Sequence, residues 1–231
     1  MRPRTVTRPA AAGALCFAFS CAGADSALAQ TDTNTIQPAS EPGEQAAQKP
    51  RIGVRQRTLH VRSGDRTAVA GRVAPGVGGI TVALQVRRDR RWRPLDRDRT
   101  DAAGRFRLRE RLRRTGSSRV RIRVLGGPGV SPGARVIGRL NVYRSAHASW
   151  YGPGLYGNRT GCGGTLLAGR LGVAHKSLPC GTMVSFKHGR RTVRVPVIDR
   201  GPYVAGREYD LTAATAQRLG FDGHGAILTT H

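Results

Sequence analysis

The sequence predicts an all-β chain: a sandwich of short antiparallel strands over residues 51–143, then a second β region with one short helix over residues 146–231. Three observations carry this expectation. Apolar and polar residues alternate with period two in short runs from Leu59 onward, which sets one face of each run against a core and the other in solvent. Glycine- and proline-rich breakers separate the runs. Only Ala213 to Leu219 reads as a helix.

The chain opens on a basic stretch with Arg2, Arg4 and Arg8, an apolar run from Ala10 to Ala22, and Ala27-Leu28-Ala29 before Gln30. That order reads as a signal peptide over residues 1–29 and places the protein in an exported, envelope or extracellular setting. The apolar run, about 13 residues, is too short to span a bilayer, and no later run is longer, so no transmembrane segment is expected. Cys16 and Cys21 lie inside it without a lipobox, which favours a soluble exported protein over a lipoprotein. Residues 30–50 are polar, lack aromatics and read as a flexible linker.

Residues 51–143 give the clearest alternation: Leu59 to Arg62, Ile80 to Val86, Phe106 to Leu108, Val120 to Val124 and Val136 to Tyr143. Breakers at Ser63-Gly64-Asp65, Pro75 to Gly79, Asp101 to Gly104, Thr115 to Ser118 and Gly126 to Gly129 imply about seven strands, enough for a small sandwich. Trp92 lies between two charged turns and is expected to anchor packing. The run Thr100 to Phe106 resembles the hairpin of bacterial immunoglobulin-like or carboxypeptidase-regulatory-like domains. That likeness implies an accessory module and transfers no active residue.

Charge is concentrated in the same stretch. The formal net charge is +25, and residues 51–143 hold 24 Arg against six acids. Such a field attracts polyanions. Export, and the lack of aromatics interleaved with the basic residues, speak against nucleic acid, leaving anionic wall polymers or a membrane surface. The alternative is compositional: Arg outnumbers Lys 36 to 3, and the side chains then only form solvated strand faces.

In residues 146–231, Gly181 to Phe186 and Thr192 to Ile198 read as strands joined by a Lys187-to-Arg191 turn, with Pro196 demanding an edge or bulge position. Thr212 is an N-cap, Gly220 a helix stop, and Ala226 to Thr230 a closing strand. Removal of residues 1–29 leaves Cys162 and Cys180, and a lone pair in an exported chain points to a disulfide. Neither a Cys-x-x-Cys nor a His-x-x-x-His pairing accompanies them, so no metal and no cofactor is expected.

Four carboxylates occupy this region: Asp199, Glu208, Asp210 and Asp222. Asp222 precedes Gly223 as turn formers do. Asp210 stands just before the helix, where capping, bracing and catalysis are all open. Asp199 ends the apolar run Val195 to Ile198 and is followed at once by Gly201-Pro202, which carries a carboxylate to a strand end. Burial there would raise its pKa and adjacent Arg200 would lower it. A carboxylate bonded only to the following turn is the structural alternative.

Four ordered segments, Ala148 to Gly154, Ala174 to Thr182, Val197 to Tyr203 and Tyr209 to Thr212, resemble the rare lipoprotein A (RlpA-like) family over residues 146–231. The resemblance implies a double-psi β-barrel, distantly similar to expansins, that acts on peptidoglycan glycan strands as a lytic transglycosylase. It implies Asp199 and His175 as the catalytic pair, although a barrel histidine bonded to a backbone carbonyl is the alternative for His175. Around them, Trp150, Tyr151, Tyr156, Arg200, Tyr203 and Asp210 are candidate substrate contacts, or core residues in the case of the aromatics. Counting from Thr160, the glutamate usual in enzymatic relatives falls at Gly164, which keeps an expansin-like, non-catalytic wall-binding role open.

Overall fold

The structure, a computed structural model, describes residues 46–231. The signal-peptide reading, and the linker up to residue 45, lie outside the described residues. Thirteen strands and one helix follow in order among them: β1 (Arg51–Thr58), β2 (His60–Arg62), β3 (Arg66–Ala74), β4 (Thr81–Arg88), β5 (Arg91–Arg99), β6 (Arg105–Arg111), β7 (Gly116–Val124), β8 (Gly133–Tyr151), β9 (Val173–Ala174), β10 (Met183–His188), β11 (Arg191–Asp199), β12 (Tyr209–Thr212), α1 (Ala213–Leu219) and β13 (Gly225–Thr229).

In the arginine-rich part, β1, β3 and β6 form one antiparallel sheet, while β5, β4, β7 and the first half of β8 run side by side in another. Val69, Val73, Phe106 and Leu108 from the first sheet and Val82, Leu84, Val120 and Ile122 from the second join in one buried cluster. In β3 and β6 every other residue turns inward, and the outward positions are arginine throughout β6 and arginine or alanine in β3. Strands β1, β3 and β5 were not among the runs picked out by alternation. β5, with Pro94 and six charged residues, reads as a loop; as the outermost strand it tolerates both. Trp92, on this strand, is half-buried and lies under the Arg121 guanidinium, 4.3 Å from the ring centroid, outside the shared core. The packing-anchor expectation gives way to a surface stack.

The remaining strands close into a ring: β8, β13, β10, β11, β9 and β12, with β12 pairing back onto β8. The β11–β9 and β12–β8 pairs are parallel and the others antiparallel. Val184, Phe186, Val195, Val197, Tyr209 and Leu211 fill its interior. Pro196 fits because Val197 N–H donates to Thr182 O on the β10 side (2.9 Å), which turns the proline nitrogen to the other edge. There β9 begins only opposite Val197. Thr212 Oγ1 caps α1 by accepting from Thr215 N, and Gly220 ends it with a left-handed φ of 60°. The long strand β8 runs without a break through residues 144 and 145, pairing with β7 before them and with β13 and β12 after.

Candidate active site

A line of residues crosses four neighbouring strands on one face of the barrel. Asp199 on β11 stands opposite Ala174 on β9, Ala174 opposite Asp210 on β12, and Asp210 opposite Ser149 on β8. Laterally paired residues share a face, so the four side chains point the same way, with Tyr151 two positions beyond Ser149. Two strand spacings set Asp199 and Asp210 roughly 9–10 Å apart at Cα. The small Ala174 leaves a floor between them. Tyr151, Asp199, Asp210 and Ala174, with Leu155, Asn158, Thr160 and Leu166, line a cleft of about 260 Å³.

Asp199 reaches this face through a register slip. Val193, Val195 and Val197 point into the barrel core, and strict alternation would send Asp199 after them. The β11–β9 register shifts between Val197 and Asp199, which turns the carboxylate outward. Its Oδ1 accepts from Gly161 N (2.6 Å) and from Arg200 N (2.8 Å). Its Oδ2 accepts from the Tyr151 hydroxyl (3.1 Å). Burial, followed by the Asp199 charge, pushes the Tyr151 phenol well above its ordinary pKa, so it stays a protonated donor.

The Gly161 amide comes from the tip of a small hairpin in which Gly157 N bonds Leu166 O, Leu166 N bonds Asn158 O and Thr160 N bonds Gly164 O. A Cβ on Gly161 would stand 2.8 Å from Arg200 Cγ and 3.1 Å from Asp199 Oδ1, so only glycine allows this approach. The Cys162–Cys180 disulfide is formed, with Cα atoms 5.5 Å apart, and ties the hairpin to the turn after β9. Cys162 N adds a bond to Ile198 O (3.2 Å).

The structure treats the sequence candidates unequally. Asp199, Tyr151, Asp210 and Arg200 come together at the cleft. Asp210 Oδ1 accepts from Ser149 Oγ, which in turn accepts from Arg207 Nη1. Arg200 acts mainly as a clamp: Nη1 donates to His175 O (3.1 Å) and Leu178 O (2.8 Å), and Nη2 to Cys180 Sγ. His175 makes no side-chain hydrogen bond to Asp199. Its backbone N–H donates to Asp199 O, while Nδ1 accepts from Ser177 N and Leu178 N. Its ring packs on buried Tyr209 at 5.0 Å. Two amide donors on Nδ1 leave the proton on Nε2, and burial, opposed by Glu208 and assisted by His231 and Arg200, holds the imidazole pKa below its usual value. Backbone amides, not the backbone carbonyl of that alternative, engage the ring, while its main chain helps hold Asp199.

Trp150 points away from the cleft because side chains alternate along β8, and it packs against the barrel core. With Tyr156 it lines a separate depression beside α1. Tyr203, 86% exposed, stands in solvent two residues past the Gly201 turn. Sequence reading missed Leu155, Asn158, Thr160 and the Gly161 amide, which lie in an irregular loop with no periodic signal. Gly164 has a φ of +79°, and a Cβ there would meet Arg170 Nη1 at 3.0 Å, so a glutamate at this position would meet backbone strain and a crowded neighbour. Among the described residues no group of three or more metal-ligating side chains converges, and no helix is long and apolar enough to cross a membrane.

A family model described as "Lytic transglycolase" matches residues 144–230. The chain is 38% identical over 117 residues to a probable endolytic peptidoglycan transglycosylase RlpA of Synechocystis, covering 45% of this chain and 36% of that protein. It is 41% identical over 88 residues to the Aquifex aeolicus protein of the same description, covering 37% and 38%. Against the Campylobacter jejuni endolytic peptidoglycan transglycosylase RlpA it is 43% identical over 74 residues, covering 31% and 27%. The chain thus spans less than two-fifths of the length of these relatives. Residues 144–230 thus match the RlpA-like family of double-psi β-barrels.

Proposed function

We propose that the Asp199 cleft cleaves peptidoglycan glycan strands as a lytic transglycosylase, in the cell envelope, leaving 1,6-anhydro-muramic ends. The observation that carries this reading is the asymmetry of the Asp199 carboxyl. Oδ1 is held by two backbone amides, so Oδ2, which accepts only from the Tyr151 hydroxyl, is the oxygen placed to exchange a proton with a bound sugar. The names of the relatives support the substrate class.

In the proposed step, protonated Asp199 gives its Oδ2 proton to the glycosidic oxygen as the C1–O bond breaks. The 6-hydroxyl oxygen of the muramic acid unit then bonds to C1, and its proton returns to Asp199. No water is consumed, so no second carboxylate is needed to activate one. Tyr151 orients Oδ2 and donates to it when it is charged. Asp210, fixed by Ser149, is positioned to accept from a sugar hydroxyl across the Ala174 floor. His175 and Arg200 are positioning residues that act through the backbone around Asp199, and Tyr203 offers an exposed ring to sugar beyond the cleft. Trp150 and Tyr156 have no part in this cleft.

We extend the reading to residues 51–143 as an immunoglobulin-like accessory module adding affinity for anionic wall polymers, and to export by the signal peptide over residues 1–29. The test is mass spectrometry of sacculi after incubation. Wild type should release anhydro-muropeptides, and Asp199→Asn should release none while still pulling down with sacculi. Binding without release by wild type would replace the lytic reading with the expansin-like one.

A further inference from the structure

We propose that an arginine-lined depression on the β3–β6 sheet is a binding site for phosphate groups of a phosphodiester-linked polymer. Arg55, Arg72, Arg99, Arg105 and Arg107 surround a cavity of about 470 Å³. Two carboxylates, Asp98 and Asp101, also line it, so positive charge remains in excess, and their oxygens are taken up by backbone amides. Asp98 accepts from Arg99 N (2.8 Å) and Arg107 N (2.7 Å), and Asp101 from Ala103 N and Arg105 N. None of the five guanidiniums forms an ion pair; the one salt bridge among the described residues is Arg144–Glu208, in the barrel.

The backbone is arranged to gather these side chains. Arg72 and Arg105 are directly opposite each other in the β3–β6 ladder, a like-charge pairing that costs stability unless an anion joins it. Arg55 is the extra residue of a bulge in β1, where the pairing with β3 slips between Val54 and Gln56, and a bulge re-aims the side chain it carries. Between them the small Ala70, opposite Arg107 in the same ladder, leaves room on the outer face that they share. The result is a concave floor ringed by charge.

The ring selects phosphate over other anions. Guanidinium binds carboxylate and phosphate alike, but a tetrahedral phosphodiester turns its two non-bridging oxygens and two ester oxygens toward guanidiniums on different sides, whereas a planar carboxylate presents both oxygens in one plane to one fork. Phosphates repeating along a chain supply acceptors for several guanidiniums at once. A lipid surface is a poorer match, because Phe106, the one large apolar side chain lining the depression, is buried and none is free to enter a bilayer. The inference extends the wall-polymer part of the reading above and is independent of its catalytic part, since a binding assay does not register cleavage.

The test uses the full chain and poly(glycerol phosphate). Arg72→Gln/Arg105→Gln/Arg107→Gln should weaken binding at least about tenfold and lower the slope of log K against log salt by about two. A control with equal charge loss, Arg87→Gln/Arg88→Gln/Arg91→Gln on the β4–β5 hairpin, should stay within about threefold of wild type. Arg72→Lys/Arg105→Lys/Arg107→Lys should keep most of the salt slope yet lose affinity, because lysine lacks the fork. Equal losses in the Gln triple and the control would overturn the site in favour of a diffuse field. Equal binding of polygalacturonate would overturn the phosphate selectivity, and preference for phosphatidylglycerol vesicles would overturn the polymer.

Discussion

Asp101 in the arginine-rich part and Asp199 in the barrel begin from the same local chemistry. Each places one oxygen, Oδ1, where two backbone amides donate to it: Ala103 and Arg105 for the first, Gly161 and Arg200 for the second. What differs is the company of the other oxygen. Asp101 is exposed, and its amides both come from its own turn. Asp199 is half-buried, takes one amide from a hairpin tip 38 residues away, and turns Oδ2 toward a phenol inside a cleft. A carboxylate that holds a turn and one that can pass a proton are therefore separated by tertiary placement, not by residue type or local sequence.

The largest effect should divide these two residues. Asp199→Asn removes the proton donor of the proposed step and should lower anhydro-product release by roughly 10²–10⁴-fold. Asp101→Asn should leave release at the wild-type rate. Comparable losses in the two variants would show that the shared amide-acceptor geometry, and not the cleft, sets activity.

Next in size is the staple that brings the remote amide to Asp199. The Cys162–Cys180 bridge closes an 18-residue separation, and its removal by Cys162→Ser/Cys180→Ser should destabilise the barrel by about 3 kcal/mol. Release should fall as well, because the Gly161 hairpin loses its tether. Chemical denaturation with and without reductant measures the first effect. An unchanged unfolding midpoint would mean that the hairpin is held by its backbone bonds alone.

Tyr151→Phe is gentler still. It deletes one hydrogen bond to Oδ2 while keeping the ring, so release should drop by up to about tenfold, the scale of one hydrogen bond of about 1 kcal/mol. No loss at all would leave Asp199 oriented wholly by backbone amides.

Much of this contrast was legible before the fold. The alternation in β4 and β7, the β-type run of β10, the Thr212 and Gly220 caps and the pairing of the two cysteines each follow from local rules that the tertiary fold did not override. Asp199 stood out because it ended an apolar run. The face it occupies was not legible: strict alternation sends it inward with Val195 and Val197, and only the register slip reverses that. The same pleat separates Trp150 from Tyr151, neighbours in sequence that line different depressions. Strand β5 was hidden because an edge strand needs no apolar alternation on its outer side. The ring of His175 lies on Tyr209 because two amides of its own turn occupy Nδ1, a contact no spacing rule reports.

The smallest effect compares histidines from the two regions. Burial lowers the pKa of His175 in the barrel and of His60 in β2, the latter assisted by the Lys187 charge. A histidine in the unfolded chain titrates near about 6.5. Between that value and the lower folded one, the unfolded state binds more protons, so stability rises with pH across the window. It is fully present above about pH 6.5 and is lost as the pH falls toward the folded pKa values. Urea midpoints measured from pH 7.5 down to 5.5, above the range in which ordinary carboxyls protonate, should therefore decline. His175→Gln keeps an oxygen acceptor for the Ser177 and Leu178 amides but takes no proton, and should flatten part of that decline. His60→Gln/His175→Gln should flatten most of it. A wild-type midpoint that does not move over this range would mean that both imidazoles accept a proton in the folded state as readily as in the unfolded one, and burial could not then be what disfavours their charge.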